Sequence, residues 1–86
     1  MATTLGQLAL AFGDADLAVE LLDEAVERAV AMAAPYETVK ARRLLATALR
    51  AGGRSTDEVE PVAELALADA REHGFAEEEA LLSALG

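Results

Sequence analysis

Five polar residues recur at three- and four-residue steps along one segment of the chain and could together bind an anion. They are Lys40, Arg43, Thr47, Arg50 and Arg54. Steps of this size return to one face of an α-helix, so the pattern predicts a single basic stripe. Lysine and arginine bind carboxylates through charge-assisted hydrogen bonds, and arginine can do so with two parallel bonds. The stripe therefore favours an acidic peptide or an acidic protein surface as its partner.

The same cations have a simpler interpretation, in which they pair with acids of neighbouring helices or face solvent. Exposed pairs of this kind are common and contribute little to stability. Residues 38–54 carry +5 with no acid, whereas residues 1–37 carry −6 and residues 55–86 carry −8. The sequence leaves both interpretations open.

Other candidate chemistry is weaker. An acidic stripe, which we interpret as a solvated helix face, is formed by Asp16, Glu20, Asp23 and Glu27. Asp69 and His73 are one helical turn apart, a spacing that two metal ligands could share, but a histidine just before a glycine also suits a helix C-terminus. Ser55 is best explained as a helix cap, and no cysteine or glycine-rich phosphate loop is present. We therefore expect no enzyme activity, no cofactor and no metal site.

The composition is that of a helical protein with a thin core. The 86 residues include 21 Ala and 14 Leu, no Ile, and three aromatic residues. A net charge of −9 argues against binding to nucleic acid or to an anionic membrane. No segment approaches the ~20 apolar residues that span a bilayer. We expect a cytoplasmic protein, and the abundance of Ala and Arg with a single Lys suggests a GC-rich bacterial source.

Glycine and proline divide the chain into five predicted helices. The expected ranges are about 4–12, 16–33, 35–51, 55 or 61 to 73, and 76–85. The fourth helix has two possible starts. Ser55 followed by Glu58 is a capping-box pattern, but Pro61 would then remove a backbone hydrogen bond in the second turn. We expect either a helix from Ser55 that is kinked at Pro61 or a helix that begins at Pro61.

Apolar residues at helical spacing predict which faces are buried. The stripe of the second helix is Ala18, Leu22, Ala25 and Ala29, and that of the third is Ala41, Leu45, Ala48 and Gly52. The fifth helix carries Ala80, Leu81, Ala84 and Leu85 on one side, with their partner left open. The basic stripe lies opposite the apolar stripe of the third helix.

The helices also repeat. The set Leu5, Gly6, Ala9 and Gly13 returns forty residues later as Leu45, Ala46, Leu49 and Gly53, and the stripe of the second helix returns forty-one residues later as Val59, Ala63, Ala66 and Ala70. Fixed spacing of this kind is typical of helical repeat proteins. We predict one domain over residues 1–86, with hairpins over about 4–33 and 35–73 and a final capping helix over about 76–85.

The first hairpin resembles a tetratricopeptide repeat (TPR), with Leu5, Gly6 and Ala9 in its first helix, a turn at Gly13, and Ala18, Leu22 and Ala25 in its second. The second hairpin is similar to repeats of bacterial LuxR-type large ATP-binding transcription activators, in the run Pro35, Tyr36, Glu37, Ala41, Arg42, Leu45, Leu49, Gly53 and Arg54, and later in residues 70–74. The resemblance implies an all-α fold in which antiparallel hairpins stack as a short right-handed solenoid.

The resemblance also implies a function. In TPR proteins the first helices of successive hairpins line a groove, and Lys40, Arg43, Thr47 and Arg50 fall where some members clamp a peptide carboxylate. We therefore expect a non-catalytic interaction module, a fragment of a cytoplasmic regulator, that binds an acidic peptide or another domain of its parent through the helix at 35–51. The alternative is a self-associating helical domain, a homodimer formed through exposed end helices. Two and a half repeats leave Leu81, Leu82 and Leu85 without a following helix.

Overall fold

Glycine, proline and one unexpected alanine set the helix boundaries. The structure, a computed structural model, describes the backbone of residues 2–85 and the side chains of residues 4–85. Its helices are α1 (Ala2–Ala11), α2 (Ala15–Ala31), α3 (Pro35–Ala51), α4 (Thr56–His73) and α5 (Ala76–Leu85). No strand occurs between residues 2 and 85. The predicted all-helical class and the number of helices are confirmed.

The helix ends follow local chemistry. The Asp14 carboxylate accepts a hydrogen bond from the Leu17 amide and caps α2. Pro35 begins α3, where its missing amide proton costs nothing. Of the two predicted starts of α4, the structure has the earlier one, with Ser55 preceding the helix and Pro61 inside it. The capping box itself is absent, because the Ser55 side chain makes no capping bond.

The second helix ends earlier than the predicted Ala33. It stops at Ala31, and Ala33 has a φ of 51°, the left-handed conformation that glycine usually supplies. The Ala34 amide donates to the Ala29 carbonyl and the Ala33 amide to the Val30 carbonyl. The same pair of bonds closes the helices that end at Gly13, Gly53 and Gly74. Ala33 therefore adopts the left-handed conformation that glycine adopts at the other turns, and no feature of the sequence predicts it.

The third helix lies at the centre of the molecule. Each helix packs against the next one in the chain, and α3 also contacts α1 and α5. Between residues 2 and 85, α2 and α4 make no contact with each other. The molecule measures 31 × 27 × 19 Å along its principal axes.

Small residues allow the helices to approach closely. The predicted stripe of α2 is buried in full, and Ala41, Leu45 and Ala48 of the α3 stripe are buried as well. Gly52, predicted in the same stripe, is exposed. A Cβ atom at Gly6 would lie 2.6 Å from Cγ of the fully buried Leu22, so only glycine fits there.

The apolar side of α5 noted in the sequence is not its buried face. Ala80, Leu81 and Ala84 are exposed, and Leu85 is half-buried. The buried residues of α5 are Glu78 and Leu82. Leu82 packs in a small cluster with Val39, Ala66 and Ala70. The Glu78 carboxylate pairs with a cation of α3, a contact that the apolar pattern of α5 cannot indicate.

Candidate functional site

The structure separates the five residues of the predicted basic stripe into three environments. Lys40 and Thr47 are half-buried, and the Thr47 hydroxyl donates to the Arg43 carbonyl at 3.0 Å. Arg43 points at α5, with its Nε 2.7 Å from the Glu78 carboxylate. Arg50 and Arg54 are exposed at the end of α3 and in the turn that follows it. The stripe is therefore not one continuous open surface.

Arg43 and Glu78 form an inter-helix ion pair inside the fold. The side chain of Glu78 is 3% exposed and that of Arg43 is 17% exposed. A second cation of α3, Arg42, donates to the Asp69 carboxylate of α4 at 2.9 Å. No buried side-chain nitrogen or oxygen of residues 4–85 lacks a hydrogen-bond partner. These two arginines hold α4 and α5 against α3, in agreement with the simpler interpretation of the basic segment.

The other two arginines of the stripe lie on an open groove. The groove has a volume of about 670 Å³, and the residues that line it are Arg50, Arg54, Thr56, Val59, Glu60, Ala63, Glu64, Leu67, Leu82, Ser83 and Leu85. Its floor is apolar, since Val59, Ala63 and Leu67 come from α4 and Leu82 and Leu85 from α5. We call it the end groove.

The two walls of the end groove carry opposite charge. Arg50 and Arg54 belong to the α3 side, and Glu60 and Glu64 project from α4. Arg54 is already engaged, because its guanidinium lies 3.2 Å from the Glu58 carboxylate. Arg50 forms no ion pair within residues 4–85. Arg50 is thus the cation of the predicted stripe that is placed to receive a carboxylate in the groove.

A second exposed surface was missed by the sequence analysis. Leu5 and Leu8 of α1 are each 49% exposed, and Phe12, just after the helix, is 85% exposed. Steps of three and four residues place these side chains on one face of the helix. The helix α1 contains no charged residue. The absence of charge from a short helix rich in Leu and Ala could have indicated an uncovered apolar face, but only the fold shows which face it is.

The remaining candidates are engaged elsewhere. Asp69 accepts from Arg42, and the imidazole of His73 stacks on the ring of Phe75 with centroids 5.5 Å apart. Within the described side chains no three histidine, aspartate or glutamate residues cluster in a way that could hold a metal ion. None of the described helices has the length and apolar character needed to cross a membrane.

Comparison with protein-family models, with curated proteins and with solved structures finds no match to this chain.

Proposed function

We propose that the protein is a non-catalytic interaction module that binds a partner helix in the end groove. The observation that carries this proposal is the combination of an apolar floor with walls of opposite charge in an open groove of about 670 Å³. Helix-in-groove recognition uses an apolar face for affinity and charges at the rim for orientation. The partner that fits is a helix with an apolar face and at least one carboxylate, on or next to the helix, that lies close to Arg50.

The packing of the helices supports a short TPR-like stack as the scaffold. Contact between α1 and α3 and between α3 and α5 is the pattern expected when the first helices of successive hairpins lie side by side in one layer. In such a stack each hairpin leaves an apolar face for the next element. The end groove is the part of that face of α4 that the ten-residue α5 leaves open.

The proposed site is narrower than the predicted one. Arg50 and Arg54 keep their predicted role as partner-binding residues. Arg43 acts within the chain by holding Glu78, and Thr47 bonds to the backbone of its own helix. Lys40 lies outside the groove lining. A role for the chain in a bacterial cytoplasmic regulator stays a prediction from the resemblance.

A pair of model peptides tests the proposal. Both are labelled amphipathic helices with the same leucine and alanine face and an uncharged second edge, and they differ only in the edge that faces Arg50, which carries either glutamate or lysine. We expect the glutamate peptide to bind at least about fivefold more tightly in fluorescence anisotropy, which corresponds to about 1 kcal/mol. Arg50→Glu should remove this preference, because it reverses the charge of the groove wall.

Arg28→Glu is the matched control. It makes the same change in net charge, but Arg28 lies on α2, where it pairs with Glu24 on an exposed surface. The preference for the glutamate peptide should survive this substitution. Equal binding of the two peptides, or an equal loss in both variants, would contradict the proposed groove.

A second candidate function is self-association through the end helices. The specific observation in its favour is the exposed face formed by Leu5, Leu8 and Phe12. An exposed apolar face of this kind can pack against another molecule of the same chain.

A further inference from the structure

The exposed face of α1 corresponds, by the repeat spacing of forty residues, to a face of α3 that packs within the chain. The residues forty positions after Leu5, Leu8 and Phe12 are Leu45, Ala48 and Gly52. Leu45 and Ala48 are buried in a cluster with Ala18 and Leu22 of α2. A Cβ atom added at Gly52 would lie 3.4 Å from Cβ of Ala15. In the second hairpin this face therefore packs on the first half of α2, whereas in the first hairpin the same face is open.

The surface of α2 that receives α3 also has a counterpart. The residues forty-one positions after Ala15, Ala18 and Leu22 are Thr56, Val59 and Ala63. All three line the end groove. The matching residues of the second half of α4, Ala66 and Ala70, are already buried in the cluster that holds Leu82 of α5. The end groove on α4 thus corresponds, by repeat spacing, to the surface of α2 on which the end of α3 packs.

We propose that α1 of a second copy of this chain docks in the end groove, so that molecules associate head to tail. This inference rests on the proposed function of the groove and names its occupant. Leu5 and Leu8 of one copy would cover Val59 and Ala63 of the other. Within the chain, the corresponding residues Leu45 and Ala48 of α3 pack in this way with α2.

Charge supports this occupant. The helix α1 has no charged residue to bury, so docking desolvates no ion on its side. Two exposed acids, Asp14 and Asp16, follow Phe12 directly. In the orientation given by the internal repeat, they lie at the end of the groove that carries Arg50 and Arg54. The remainder of the groove wall, Glu60 and Glu64, faces an uncharged helix.

The contact is heterologous, because each copy contributes a different surface. Contacts of this kind form chains or rings rather than closed two-fold dimers. Each molecule has one α1 face and one groove. Two variants that each block one surface should therefore be complementary.

The test uses Leu8→Glu, which blocks the α1 face, and Ala63→Glu, which blocks the groove, each in the 86-residue chain. Each is measured by sedimentation equilibrium across a hundredfold range of concentration, alone and in a one-to-one mixture. We expect each variant alone to stay at the monomer mass of 9.0 kDa. The mixture should form a species of twice that mass and no larger one, with association restored to within about threefold of the wild-type contact.

Three controls keep the result interpretable. Leu65→Glu removes an equally exposed leucine of α4 that lies outside the groove, and it should associate like the wild type. Far-UV circular dichroism checks that each variant is folded. If Ala63→Glu does not fold, Ser83→Trp fills the groove from α5 and takes its place.

Several outcomes would overturn the inference. They are a wild-type chain that is monomeric throughout, a Leu8→Glu chain that associates like the wild type, and a mixture that stays monomeric when both variants are folded. If the glutamate peptide still shows its Arg50-dependent preference in any of these cases, the proposed function stands and only the occupant is wrong. If the peptide also shows no preference, both proposals fail.

Discussion

At the scale of single residues, the Arg43–Glu78 pair decides how the last helix packs. The Glu78 residue is only 2% exposed, and its carboxylate lies 2.7 Å from the guanidinium of Arg43. Removing one partner of a buried ion pair is much more costly than the pair is worth, because the other charge is left desolvated. The pair therefore stabilises one specific rotation of α5.

We predict that Arg43→Met lowers the free energy of unfolding by about 3–5 kcal/mol, which is most of what a domain this small is expected to have. The double variant Arg43→Met with Glu78→Leu should recover much of the loss, because no buried charge remains. Urea denaturation followed by circular dichroism measures both. Arg28→Met, which breaks an exposed pair with Glu24, should change stability by less than about 1 kcal/mol. A loss for Arg43→Met as small as that of Arg28→Met would show that the buried pair is unimportant.

A second residue-scale prediction concerns Gly6. Alanine is favoured over glycine in a helix by about 1 kcal/mol, yet a Cβ at this position would overlap Leu22 at 2.6 Å. Because Leu22 is fully buried and cannot move aside, we expect Gly6→Ala to lower stability by about 1–2 kcal/mol. The cost should fall in a Leu22→Val background, which a double-mutant cycle by urea denaturation can measure. Stabilisation by Gly6→Ala alone would contradict the packing described for α1 and α2.

At the residue level the sequence predicted the buried apolar stripe of α2, and it allowed pairing of the basic residues with acids of neighbouring helices without identifying the partners. The stripe of α2 could be predicted because four apolar residues at helical spacing have no alternative face. The partner of Arg43 could not, because Glu78 is 35 positions away and the pairing depends on how α5 packs on α3. The same reason explains why the predicted basic stripe divides into buried and exposed parts.

At the scale of helices and turns, the chain repeats one way of ending a helix. Each of the first four helices is followed by a residue with positive φ. This residue is Ala33 after α2 and a glycine after α1, α3 and α4. The left-handed conformation costs a residue with a Cβ roughly 1–2 kcal/mol. The turn between α2 and α3 is therefore strained relative to the others.

We predict opposite effects of two substitutions at these turns. Ala33→Gly should raise the free energy of unfolding by about 0.5–1 kcal/mol, because it removes the strain. Gly53→Ala should lower it by about 1 kcal/mol, since no atom lies within 4 Å of the added Cβ and only the backbone conformation is penalised. Thermal or urea unfolding of the two variants provides the comparison. Changes of the same sign would contradict the assigned turn geometry.

The observed boundaries of α3 and α5 agree with the predicted ones, because glycine and proline residues flank these helices. Pro35 and the pair Gly52–Gly53 bracket α3, and Gly74 separates α4 from α5. The end of α2 was misplaced because alanine is a strong helix former and carries no stop signal. The start of α4 could not be predicted from the sequence, because Ser55 favours an earlier start and Pro61 a later one.

At the scale of the whole molecule, the two ends of the helix stack differ. One end presents the uncharged face of Leu5, Leu8 and Phe12, and the other presents the end groove. The sequence left open whether α5 caps the stack or leaves Leu81, Leu82 and Leu85 free to contact another chain. In the structure Leu82 is buried, Leu81 is exposed, and a groove lies beside α5. Repeat spacing predicted that such faces exist, but the depth of the groove depends on how far α5 extends along α4.

We expect the end groove to receive a helix from another molecule of the same chain. The most direct measurement is the backbone amide spectrum of the isotope-labelled wild-type chain, recorded by NMR during dilution over a hundredfold range. We predict concentration-dependent shifts around Leu8 and Phe12, at the following acid Asp16, and at Val59 and Ala63 in the groove, with the acidic residues of α2 beyond Asp16 unchanged. A spectrum that does not change on dilution, or changes confined to the part of α2 beyond Asp16, would contradict head-to-tail association.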